Sequence, residues 1–115
     1  MAPPVRHYPD GRIASDRLWV RMRRPVEGRI ANACAVAYIS DISCGFAIPG
    51  DELFGIQVAS LDHALWFQET IDTHQWCVID LEPMMAGRSR GLYRGSIHAG
   101  DGTIAASLTQ QVLFL

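Results

Sequence analysis

The sequence predicts an α+β domain in which an antiparallel sheet of about five strands wraps around one central helix. Three observations lead there. Arg17 to Arg24 alternates apolar and polar residues, the segment from Arg29 changes to a three-to-four-residue period rich in Ala, and four strand-like stretches follow from Val58 onward with only short turns between them. A helix and a sheet of this kind each have one apolar face to bury, so they must pack on each other.

The 115 residues make one domain, long enough to bury roughly two thirds of the surface an unfolded chain exposes. With 49% hydrophobic and 19% charged residues, the composition is that of an ordinary globular protein. A formal net charge of -2 argues against nucleic acid as a partner. All ten basic residues are Arg, the side chain that grips phosphate or carboxylate with paired hydrogen bonds, although a solvated surface is the ordinary place for arginine. Cys34, Cys44 and Cys77 show no CxxC or Cys/His spacing, which fits a reducing compartment and predicts a cytoplasmic protein. No apolar run approaches the roughly 20 residues that cross a bilayer, and the N-terminus lacks the apolar core of a signal peptide, so no membrane contact is expected.

Residues 1–16, with Pro3, Pro4, Pro9 and Gly11, show no periodicity and read as a lead-in or linker, leaving residues 17–115 as the domain. The first strand sets Leu18, Val20 and Met22 against Trp19, Arg21 and Arg23, and Pro25 ends it. From Arg29, the positions Ile30, Ala33, Cys34, Ala37, Asp41, Cys44 and Ile48 form one helical stripe, expected to face the sheet, with a stop at Gly45 or at Pro49-Gly50. A loop over Gly50–Gln57 precedes the strand Val58–Phe67. After a turn at Asp72–Gln75 comes the strand Trp76–Glu82, then a loop over Pro83–Arg90 and a strand Gly91–His98. Asp101-Gly102 signals a hairpin into the last strand, Thr103–Leu115, whose buried face is Ile104, Ala106, Leu108, Val112 and Phe114, with Gln110 at the same parity.

Asp41 and Gln110 are thus polar residues on faces that should be apolar. If helix and sheet pack together they converge, and a carboxylate with an amide can hold a water, the carboxylate accepting its proton and the amide orienting it. Ser60 could add a hydroxyl. Each has a simpler role open to it: Asp41 can cap a turn, Gln110 can satisfy a backbone group, and a strand serine or the neighbouring His63 can be structural. Asp62 and His63 are adjacent on a strand and point to opposite faces, so they form no Asp/His pair with each other. Arg90, opening a strand, could contact phosphate. No nucleophile elbow, phosphate-binding glycine loop, dinucleotide fingerprint or zinc spacing is present, and no metal or cofactor is expected.

The segments AVAYISDI, VASLDHALWF and RGLYRGSIHAGDGTIAASLTQ resemble the C-terminal half of type II acyl-CoA thioesterases, and the likeness spans Leu18 to Gln110. The resemblance implies a hotdog fold and hydrolysis of fatty acyl-CoA to free acid and CoA. It also implies that Asp41 of YISD, Ser60 of SLDH and Gln110 of SLTQ are the carboxylate, hydroxyl and amide that orient the hydrolytic water. Proteins of this family carry two hotdog domains in tandem, so the single domain here is expected to pair with a second copy or with another hotdog domain. The runner-up expectation is a non-catalytic acyl-CoA-binding or partner-dependent subunit.

Overall fold

The computed structural model describes residues 6–7, 13–14, 17–42 and 58–114. The elements in chain order are β1 (Arg6–His7), β2 (Ile13–Ala14), β3 (Arg17–Val20), α1 (Arg29–Ile42), β4 (Val58–Phe67), β5 (Cys77–Gly87), β6 (Arg90–Ala99) and β7 (Ile104–Phe114). β1 and β2 pair antiparallel as a short ladder, regular structure that the composition of residues 1–16 did not suggest. The other strands form one five-stranded antiparallel sheet in the order β3-β5-β6-β7-β4, with α1 against one face, which is the predicted α+β architecture.

The core lies between helix and sheet. Val36 and Ile39 of α1 pack among Cys77, Ile79, Leu81, Tyr93, Ile97, Leu108 and Val112, each nearly or fully buried. Burying one such aliphatic side chain contributes about 1.5–3 kcal/mol, so this inner layer is the main stabilising term. The helix begins after Gly28, whose φ of 91° suits glycine alone among common residues, and the Asn32 N–H donates to the Gly28 carbonyl at 3.1 Å. The Asn32 side chain then joins three segments. Its amide nitrogen donates to the carbonyls of Val26 and Gly28, each at 2.9 Å, while its oxygen accepts from the Thr73 N–H at 3.1 Å and the Thr73 hydroxyl at 2.8 Å.

Three sequence expectations change here. The helical stripe that packs on the sheet is Asn32, Ala35, Val36, Ile39 and Ser40, not the Ile30, Ala33, Cys34, Ala37 and Asp41 stripe, on which Ile30 is 77% exposed. In an Ala-rich helix, apolar character surrounds the axis, and the larger Val36 and Ile39 decide which side is buried. Cys44, Ile48 and both proposed helix stops lie outside the described residues. The predicted loop over Pro83–Arg90 is instead a hairpin: β5 runs to Gly87, and Arg88 and Ser89 turn the chain with φ of 54° and 62°. Pro83 lies in β5 beyond Asp80, where the described pairing with β3 ends, and a bulge follows between Pro83 and Met85. Finally, Ile104 is exposed. A register shift beside it puts Ala105 into the core in its place, while Ala106, Leu108, Gln110 and Val112 are buried as the alternation predicts.

Candidate active site

β7 crosses beneath the C-terminal turn of α1 and brings Gln110 to the helix face of the sheet, where the side chain is 0% exposed. Its amide nitrogen donates to Asp41 Oδ1 at 3.2 Å and to Ser60 Oγ at 2.6 Å. Its oxygen accepts the Tyr93 hydroxyl proton at 2.6 Å, from the neighbouring strand position. Three partners fix the amide orientation: reversed, it would set oxygen against the Asp41 carboxylate and lose the donation to Ser60. The structure therefore brings together the three residues that the sequence singled out. It does not bring Arg90 to them. Gly91 pairs with the buried Val112, so its neighbour Arg90 projects from the opposite face of the sheet.

A β-bulge does the positioning on β4. Ser60 pairs with Val112 and Asp62 with Gln111, so Leu61 is the extra residue. Without it Ser60 and His63, three apart, would face opposite sides; with it both face the helix. His63 lies opposite Gln110, and its ring enters the site: Nε2 is 3.0 Å from Ser40 Oγ, and Nδ1 is 3.6 Å from Asp41 Oδ1. Strict alternation from the sequence missed this, and it missed Ser40. Tyr93 was also overlooked, although it shares the parity of the buried strand residues around it.

Asp41 itself is 61% exposed in side chain. Among the described residues its Oδ2 has no hydrogen-bond partner, while Oδ1 is held by Gln110. The site thus has a buried, rigid half, Tyr93 and Gln110, and a solvent-facing half, Asp41 and Ser60. The arrangement can seat a water against Oδ2 and the serine oxygen and take a proton from it. Among the described residues no group of three or more His, Cys, Asp or Glu could hold a metal ion.

The exposed helical stripe leads to this point. Ile30, Ala33, Cys34 and Ala37 line a groove of about 530 Å³ with Phe67 and Ile71, and Ala37 precedes Asp41 by one turn. At 1.5 Å rise per residue, Ile30 to Asp41 spans roughly 16 Å along the helix.

A sheet curved over one helix with this strand order is the hotdog fold. The acyl-CoA thioesterase II TesB2 of Mycobacterium marinum superposes with a TM-score of 0.79 at 33% identity, covering 86% of this chain and 41% of that one. A tesB protein of Mycobacterium avium superposes at 0.78 with 19% identity over 97% of this chain and 45% of that one, a likeness of fold. The family defined as the acyl-CoA thioesterase C-terminal domain matches residues 2–114, and the chain belongs to it. Mouse acyl-coenzyme A thioesterase 8 is 37% identical over 98 residues, and acyl-CoA thioesterase 2 of Haemophilus influenzae is 34% identical over 85. Those matches cover 81% and 70% of this chain but only 31% and 30% of the two relatives, so the chain spans about a third of their length.

Proposed function

We infer that this domain carries the water-activating group of an acyl-CoA thioesterase that hydrolyses fatty acyl-CoA to fatty acid and CoA. The observation that carries the reading is one buried amide, Gln110, holding a carboxylate and a hydroxyl side by side, one helical turn beyond Ala37 of the groove. Asp41 Oδ2 accepts a proton as the water oxygen attacks the thioester carbonyl, and the collapsing intermediate expels the CoA sulfur, which takes that proton. Ser60 orients the water, and Gln110 braces both. The acyl chain lies in the groove along α1, where each buried methylene contributes about 0.8 kcal/mol. The expected test is thiol release from a panel of acyl-CoAs: Asp41→Asn lowers kcat by roughly a hundredfold or more. Equal rates in the two proteins would overturn the assignment.

A second hotdog domain, either another copy of this chain or a different subunit, completes the site. β4 is an edge strand of ten residues with Leu61, Trp66 and Phe67 exposed, the kind of edge that associates unless covered. The solvent exposure of Asp41 favours the partner-dependent reading, because hydrolysis gains from a site closed to bulk water. Light scattering checks this: a stable dimer supports self-pairing, and a monomer active only with an added hotdog subunit supports the other partner. The free thiols Cys34 and Cys77 fit a reducing compartment such as the cytoplasm. Among the described residues no helix is long and apolar enough to cross a membrane.

A further inference from the structure

We propose that His63 is a positioning residue for the hydrolysis, one that pins Asp41 Oδ1 through Nδ1 so that Oδ2 faces the reacting water. This rests on the thioesterase reading and adds a residue to it. The hydrogen-bond directions around the ring carry the inference. Ser40 donates its hydroxyl proton to the Ala37 carbonyl at 2.6 Å, so toward His63 its oxygen is the acceptor, and the ring nitrogen facing it at 3.0 Å is an N–H. That anchors Nε2 as a donor. The other nitrogen is thereby turned to Asp41 Oδ1 at 3.6 Å, so the ring that pins the carboxylate carries a proton on both nitrogens and meets it as an ion pair. Asp41 Oδ1 is then held from two sides, by Gln110 of β7 and His63 of β4, and the carboxylate has one oxygen left for chemistry.

The ring is well placed for such a role. Its side chain is only 21% exposed, whereas Asp41 is 61% exposed and, among the described residues, is otherwise held only by Gln110. The β4 bulge at Leu61, between Ser60 and His63, turns both inward. The groups facing the ring are Ser40 and Asp41 from α1 and Gln110 from β7; Asp62, next to it, points to the far face.

Two substitutions separate this role from a purely structural tie to Ser40. Asparagine places its amide nitrogen where Nδ1 stands and glutamine where Nε2 stands. His63→Ala is expected to lower kcat roughly fivefold with KM little changed, the loss expected for one part-exposed ion pair. His63→Asn restores most of it, and His63→Gln does not. Rescue by glutamine instead of asparagine, or a change in KM alone, overturns the proposal. If His63→Ala matches wild type while Asp41→Asn is inactive, the proposal fails and the thioesterase reading stands. If wild type releases no thiol, that reading fails, and nitrogen-15 spectra of the ring decide the geometry. The ring that faces Asp41 is expected to carry a proton on each nitrogen, and Asp41→Asn to shift the Nδ1 resonance; a bare Nδ1, or an Nδ1 signal indifferent to Asp41, overturns it.

Discussion

Replacing Tyr93 by Phe removes one atom from the most buried part of the site. The ring stays in the core between Gln110 and its aliphatic neighbours, so packing is kept while the hydroxyl donation to Gln110 Oε1, at 2.6 Å, is lost. Both residues are 0% exposed, so the carbonyl oxygen of Gln110 is left without that donor where water does not reach. The expected cost is about 1–3 kcal/mol. For a domain of this size a loss near 2 kcal/mol lowers Tm by roughly 6–12 °C. Activity should fall further than stability requires, because the hydroxyl is one of the three partners that set the orientation of the amide. Once it is gone, only Asp41 and Ser60 oppose the turned amide, and the bias toward the productive orientation is smaller. If that orientational bias is worth even 1.4 kcal/mol, kcat drops about tenfold. Thermal unfolding followed by circular dichroism, together with steady-state thiol release at a temperature where the variant is folded, measures both. A Tyr93→Phe protein with unchanged Tm and unchanged kcat would show that the tyrosine does not hold the amide, and the bracing role given to Gln110 would fall with it.

Gln110→Glu places a second carboxylate at the position of a nitrogen now 3.2 Å from Asp41 Oδ1. Two such groups share one proton, which occupies the base, so kcat at neutral pH is expected to drop roughly a hundredfold and the acid limb of the rate–pH profile to move to higher pH. A profile that keeps its position would count against Asp41 as the base. Asn32→Ala removes four hydrogen bonds at once and strands the buried Thr73 N–H and hydroxyl; a loss of about 2–4 kcal/mol is expected in denaturant unfolding. An m-value unchanged and a midpoint equal to wild type would contradict it. Cys77 is fully buried, and burial followed by the nearby Asp72 pushes its thiol pKa up, whereas Cys34 is exposed in the groove. Iodoacetamide at mildly basic pH should therefore modify Cys34 first, a saturating long-chain acyl ligand should slow that reaction, and Cys77 should react only on unfolding, all read by peptide mass mapping. Equal labelling of the two would refute the placement.

Most of the fold was legible because the signals were local. The alternation in β4 and β7, the change of period at Arg29 and the Asp101-Gly102 turn each depend on neighbours a few residues away. Gly102 takes a φ of 94° in that turn, and the Thr103 N–H donates to Asp101 Oδ1 at 2.9 Å, as the dipeptide implies. The β5–β6 hairpin was missed because its turn is Arg88-Ser89, and nothing in that pair advertises two residues in the left-handed region. The helix was found but its orientation was not, since the buried stripe includes Asn32 and Ser40, polar residues that a pattern search assigns to solvent. Both are satisfied by partners distant in sequence, Thr73 and His63, which only the folded chain supplies.

The site shows the same division more sharply. Asp41 and Gln110 stood out as polar residues on supposedly apolar faces, and they do meet. For Gln110 the reason given was right: its face is buried, and an amide there needs partners. For Asp41 the reason was wrong, because its stripe lines an open groove instead of the core. The carboxylate is tolerated there by solvent and by its neighbours, and the apolar residues before it are left for something else to cover. A stripe of apolar residues that ends in a carboxylate therefore has two physical readings, a core position with an expensive charge or a binding surface with a reactive end. What separates them is the opposite stripe: only where Val36 and Ile39 already fill the core is the first one released for ligand. The groove and the base thus occupy one face of α1 because the other face does the folding.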